Sequence, residues 1–169
     1  MRKHESRESG FTLMELMIVM VIMSILAAIV MGNYATSTKR GRDNRRKSDL
    51  RNIATALETY FNDKGAYPLG VSGVMNGCST NDSQACEWGQ PFTDSQGTLY
   101  MTELPQDPVD VSTTYYYVSN GTSYKIYAKL ENTLDTGAGV NTNGYAGTNC
   151  SKTSTALCTY GIASSNTTP

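Results

Sequence analysis

Residues 11–31, FTLMELMIVMVIMSILAAIVM, form an apolar run of 21 positions in which Glu15 is the only charge. A small soluble core cannot enclose a helix that is apolar on every side, so the run predicts a membrane-spanning helix about 30 Å long. A secretory signal would be shorter and would end in a small-residue cleavage site. No such site follows in GNYATSTKRGRDNRR, and the segment is expected to stay on the chain as a single span. Met14, Met17, Met20 and Met23, three residues apart, read as lipid- or helix-facing filler. Glu15 is the anomaly. An ionisable side chain within a membrane helix is rare and points to function.

At 169 residues the chain has room for an anchor and one modest domain. Residues 1–51 carry ten Lys/Arg against five Asp/Glu, a charge of +5, and the remainder carries four against ten, −6. Because the basic stretch directly follows an apolar helix, no nucleic-acid partner is expected. Lys39 to Arg51 reads as a solvated helix face, with attraction to lipid head groups or acidic neighbours as the alternative. Taken alone, these charges would hold the C-terminal side in the cytoplasm. The distal cysteines and the acidic distal region favour an exported body instead.

Beyond the apolar run, Leu50, Ile53, Ala54, Leu57, Tyr60 and Phe61 recur with a 3.6-residue period. One helix from about Phe11 to Asp63 is predicted, its first half membrane-spanning and its second half amphipathic. Gly65 supplies the C-terminal cap, with Pro68 beyond it. The amphipathic stripe needs a partner. TTYYYVSNGTSYKIYAKLE, residues 113–131, supplies one as two strand-like runs around Asn120-Gly121. Tyr124, Ile126, Ala128 and Leu130 alternate with Lys125, Tyr127, Lys129 and Glu131, which predicts one apolar and one polar face. Residues 70–98 read as a long loop, and residues 135–169 as irregular structure ending in a loose tail. The fold class is α+β: a long N-terminal helix with a small antiparallel β-sheet on its distal half. The expected segments are 1–10, 11–33 (span), 34–63 (amphipathic continuation) and 64–169 (globular domain).

Cys78, Cys86, Cys150 and Cys158 lie in that domain with C-x7-C spacing twice, unlike the paired C-x2-C of zinc sites. An even count in a polar, Tyr- and Thr-rich region predicts two disulfides in an oxidising compartment. Three pairings are open, and Cys78–Cys86 with Cys150–Cys158 is the one favoured. The only histidine is His4, so the domain has no Cys-His or Ser-His pair. No catalytic residue and no enzyme activity are expected.

The stretch G-F-T-L-x-E, Gly10 to Glu15, behind a short basic leader and ahead of an apolar run, resembles the prepilin signature of type IV pilins and type II secretion pseudopilins. RRKSDLRNIATALETYFNDKGAYP and LPQDP, residues 45–68 and 104–108, resemble the major pseudopilin branch. The resemblance covers residues 7–130. It implies a leader, residues 1–10, cleaved between Gly10 and Phe11 by a prepilin peptidase, N-methylation of Phe11, and a lollipop fold. It implies a homo-oligomeric helical filament built with an assembly platform and ATPase. Glu15 would meet the N-terminal amine of a neighbouring subunit during assembly. The implied location is the cytoplasmic membrane, single-pass, with the distal domain extracytoplasmic, and then a cell-surface or periplasmic filament.

Two departures stand out. Major pseudopilins carry a calcium-binding acidic loop near the C-terminus. ENTLDTGAGVNTNGYAG, residues 131–147, offers only Glu131 and Asp135 plus amide and carbonyl oxygens. Calcium takes six to eight oxygens with ample negative charge, so no cofactor is expected, calcium staying open as the alternative. The four cysteines fit type IV pilins better than the pseudopilin branch. A filament subunit is therefore the leading expectation. A single-span anchored binding module that stays monomeric is the alternative, and an anchored hydrolase using carboxylates alone is a distant third.

Overall fold

Thr12 precedes one long helix, α1, Leu13–Lys64, in a computed structural model that describes residues 10–78, 84–109 and 113–169, with backbone alone at 30–33. Gly65 ends α1 with φ 73° and donates its N–H to the Phe61 carbonyl at 2.8 Å. Glycine takes that left-handed conformation without a Cβ penalty, and Lys64 in the last turn complements the helix dipole. The predicted stop is where the helix stops.

The chain divides into two units, Met1–Thr38 and Lys39–Pro169. In the first, every large apolar side chain from Leu13 to Ile29 that is described is more than half exposed. Apolar surface on all sides of a helix demands lipid or other helices around it. The Ser24 hydroxyl donates to the Met20 carbonyl at 2.7 Å, so it needs no outside partner. Among the described residues no single helix is long and apolar enough to cross a membrane; Leu13–Ile29 and Tyr34–Lys64 qualify only as a pair across the break between them.

Among its described residues the second unit holds the distal part of α1 and seven short strands: β1 (Gly70–Val71), β2 (Val74–Met75), β3 (Phe92–Thr93), β4 (Leu99–Met101), β5 (Tyr116–Ser119), β6 (Tyr124–Ala128) and β7 (Tyr160–Ala163). They pair antiparallel as β1-β2, β3-β4 and β5-β6-β7. The α1 stripe is buried as its period requires: Leu50, Ile53 and Leu57 are fully enclosed, against Met75, Phe92, Leu104, Tyr117 and Ile126. Each such Leu or Ile contributes about 1.5–3 kcal/mol. Tyr60 and Phe61 extend the stripe, stacking on Phe92 at 5.4 Å and Tyr67 at 4.5 Å. Tyr117 keeps its hydroxyl satisfied inside the core by donating to the Pro68 carbonyl at 2.8 Å.

The Asn120-Gly121 hairpin forms as expected, with a four-residue loop because Ser119 pairs with Tyr124, while three other expectations change. Asn120 Oδ1 organises it by accepting the N–H groups of Thr122 and Ser123 at 3.1 and 2.9 Å, and Gly121 takes φ 87°. Residues 70–98 are not one loop but contain β1, β2 and β3, strands of two residues each and too short for a period to show.

The tail from 135 is not wholly irregular. Tyr160–Ala163 forms the third strand of the main sheet, and the Ser164 Oγ accepts the Tyr124 N–H at 3.2 Å. The polar face expected of β6 is partly covered, since Tyr127 is buried with Cys150 and Cys158, packed by Tyr116 and Tyr145. Gly161, the cross-strand partner of Tyr127, lies under its ring: an added Cβ would come within 2.6 Å of Tyr127 Cδ1.

The disulfides are Cys78–Cys86 and Cys150–Cys158, each spanning eight positions. Closing so short a loop restricts the unfolded chain by roughly 2–3 kcal/mol per bond in the entropy treatment. Non-reducing peptide mapping of the native protein is expected to return these two linked pairs, and reduction to lower the unfolding midpoint. Free thiols in that material would contradict both expectations.

Candidate functional site

At the N-terminus, Glu15 occupies the third position of α1 and turns back on Thr12. The Thr12 N–H and hydroxyl donate to Glu15 Oε2 at 2.9 and 3.0 Å, while Thr12 Oγ1 accepts the Glu15 N–H at 3.2 Å. This is a capping box, in which Thr and Glu satisfy helix-end N–H groups reciprocally. Its T-x-x-E spelling stands openly in the sequence, yet reading by hydropathy alone passes over it. Both Thr12 donors land on Oε2, and among the described residues no hydrogen bond reaches Oε1. Gly10 and Phe11 precede the helix and are exposed.

The second constellation lies on α1 where the sequence predicts a solvated basic face. That expectation is wrong for three of its basic residues. Arg46 is 2 % exposed, and Arg42 and Lys47 are half-buried. Counting back from Leu57 and Ile53 through Leu50 in steps of three and four reaches Arg46 and then Asp43, so both sit on the buried stripe. Arg46 Nη1 donates to Asp43 Oδ1 at 2.7 Å and to Glu131 Oε1 at 2.8 Å. Its Nε and Nη2 grip both oxygens of Asp107, at 2.7 and 2.9 Å. Asp107 belongs to LPQDP and Glu131 to the segment after β6, so one guanidinium ties two distant segments to the helix.

Neighbouring groups complete the network. Arg42 Nε donates to Glu131 Oε1 at 2.7 Å, and its Nη2 donates to Oε2. Asp43 accepts the N–H groups of Glu131 and Asn132 at 2.9 and 2.8 Å. Lys47 pairs with Asp135 at 2.6 Å. Burial pulls the Arg46 guanidinium down, but its hydrogen bonds to Asp107 and Glu131 outweigh this and raise it, keeping it charged.

Residues 33–143 match the family described as Type II secretion system (T2SS), protein G, and residues 6–31 match the prokaryotic N-terminal methylation motif. The chain belongs to the protein G family. Among curated members it is 33% identical over 118 residues to type II secretion system core protein G of Pseudomonas aeruginosa, covering 69% of this chain and 77% of that protein. The Aeromonas hydrophila counterpart is also 33% identical, over 60% of this chain and 68% of its own. Type IV major pilin protein PilA of Myxococcus xanthus is 41% identical over 61 residues, 36% of this chain and 28% of that pilin. No solved structure matches the chain.

For this protein G family member, the arginine network makes a clear pH expectation. The hydrogen bonds from Arg42, reinforced by Arg46 against the opposing effect of burial, bring Glu131 down from the ordinary 4.5 to about 2. Asp135 is lowered too, by Lys47 and then by the Gly137 N–H. A carboxylate lowered in the folded state stabilises it fully above the unfolded value, and that contribution fades as pH falls toward the folded value. The unfolding midpoint should therefore fall as pH drops from about 5 toward 2. Glu131→Gln should flatten part of that slope. An unchanged slope in the variant would mean that Glu131 does not carry the acid sensitivity.

Proposed function

We propose that this chain is a structural subunit of a helical filament of the type II secretion pseudopilus kind, assembled from the cytoplasmic membrane after removal of residues 1–10. The observation that carries the reading is the N-terminus itself: a helix apolar and exposed all round, with a single carboxylate in its first turn. Such a surface is satisfied by lipid before assembly and by copies of itself afterwards. The protein G family is structural, which supports a packing role over catalysis.

In this reading the distal domain faces outward and Phe11 becomes the methylated N-terminus. Two disulfides support export, since such bonds persist in oxidising compartments. They outweigh the basic run in deciding the orientation. Gly10 supports the cleavage position. Among the described residues a Cβ there would meet nothing within 4 Å, so packing does not ask for glycine, as expected of a residue fitted into a membrane peptidase. A platform and an ATPase would supply the work of extraction.

Mass spectrometry of the native assembled protein is expected to give an N-terminus at Phe11 carrying a methyl group. Intact residues 1–10 on assembled material would refute the processing.

A further inference from the structure

The calcium site implied by the resemblance can be tested against the donor set. Calcium needs six to eight oxygens at 2.3–2.6 Å, several of them carrying uncompensated charge. In the segment after β6, both Glu131 oxygens are taken by Arg42 and Arg46. One Asp135 oxygen is taken by Lys47 and the other by the Gly137 N–H. Among the described residues no group of three or more His, Cys, Asp or Glu side chains is arranged to hold a metal ion. The segment does not fit calcium.

The carboxylates that converge nearby do so around a guanidinium. Four oxygens from Asp43, Asp107 and Glu131 lie 2.7–2.9 Å from the Arg46 nitrogens. They come from α1, from LPQDP and from the segment after β6, three parts of the chain that a bridging cation would have to join. Arg46 is almost completely enclosed, and its cation is fixed to the helix by a covalent stem.

We propose that Arg46 is a built-in cation: it fills the place among Asp43, Asp107 and Glu131 that a divalent ion would otherwise need, and it makes this domain's folding independent of calcium. A tethered guanidinium cannot dissociate. Among the described residues, nothing that joins these segments is then open to removal by a chelator. The planar fork also sets directions that a spherical ion does not, gripping Asp107 with two parallel bonds.

The test uses the full chain in detergent, followed by near-UV circular dichroism during heating, in chelator and in millimolar calcium chloride. The wild-type midpoint should be the same in both. A midpoint that rises with calcium in the wild-type chain overturns the proposal, and this arm needs no variant to fold. Arg42→Ala together with Arg46→Ala frees Glu131 along with Asp43 and Asp107 around a vacated position. The midpoint of this double variant should rise with calcium, on the order of 5 °C at saturation. A double variant that folds yet ignores calcium would show that Arg46 does not occupy a cation's place. Asp107→Asn in the same background should reduce the calcium response, and an undiminished response would place the bound calcium elsewhere and overturn the proposal.

Discussion

Replacing Glu15 with valine is expected to leave the chain in the membrane and to abolish, or nearly abolish, filament growth. Cleavage after Gly10 would place a positive amine on Phe11, four residues from Glu15. Between packed apolar helices water is scarce, and an unpaired amine or carboxylate is strongly disfavoured there. Pairing Glu15 of one subunit with the Phe11 amine of the next would satisfy both charges and fix the axial register. Cohesion itself comes from helix packing.

The capping box adds a second role for the same side chain, and the two can be separated. Glutamine serves in a capping box as glutamate does, but it carries no charge. Glu15→Gln should therefore keep the helix start and still fail to assemble. Immunoblots of membranes, read beside electron micrographs of sheared filaments, decide the matter. Normal filaments from Glu15→Val would reduce Glu15 to a helix-end carboxylate. Normal filaments from Glu15→Gln alone would assign its importance to capping.

Arg46→Met should destabilise the second unit by about 3–5 kcal/mol, the cost of breaking a buried ion network by removing one partner. Methionine retains most of the apolar stem, so the loss reports chiefly on Asp43, Asp107 and Glu131, left close together without their shared cation. Arg46→Lys should recover only part of it, because an ammonium cannot span both oxygens of Asp107 while also reaching Asp43 and Glu131. Denaturant unfolding of the three chains side by side measures the differences. Equal midpoints for Arg46→Met and the natural chain would mean that packing of the apolar stripe, not the ion network, holds these segments.

How much of this was legible in the sequence depends on length and on period. Leu50, Ile53 and Leu57 announced their buried stripe because a helix repeats its pattern over many turns. The same arithmetic carried two steps back from Leu50 reaches Arg46 and Asp43, but a charged residue on an apolar stripe is easily taken for the stripe's end. What distinguishes the two cases is a set of carboxylates at positions 107 and 131, far away in sequence, which no local pattern can register. Strands β1, β2 and β3, at two residues each, are shorter than one full alternation. The strand β7 was hidden for another reason. Gly161 breaks its apolar run, and the reason for that glycine is the Tyr127 ring above it. The N-terminal motif was the most readable part, since Gly10, Phe11 and Glu15 lie within six residues; the closing of Thr12 on Glu15 is what the structure adds.

The order β5-β6-β7 has a temporal meaning. The strand completing the sheet, Tyr160–Ala163, is synthesised well after β6, the strand whose edge it covers. Until it docks, β6 presents one unpaired edge and Tyr127 lacks part of its cover. An exposed strand edge is a hazard for pairing with the wrong chain. A molecule in which β7 is missing or undocked therefore stays recognisably unfinished and open to proteolysis. Closing that edge is the late step that gives the domain a finished surface.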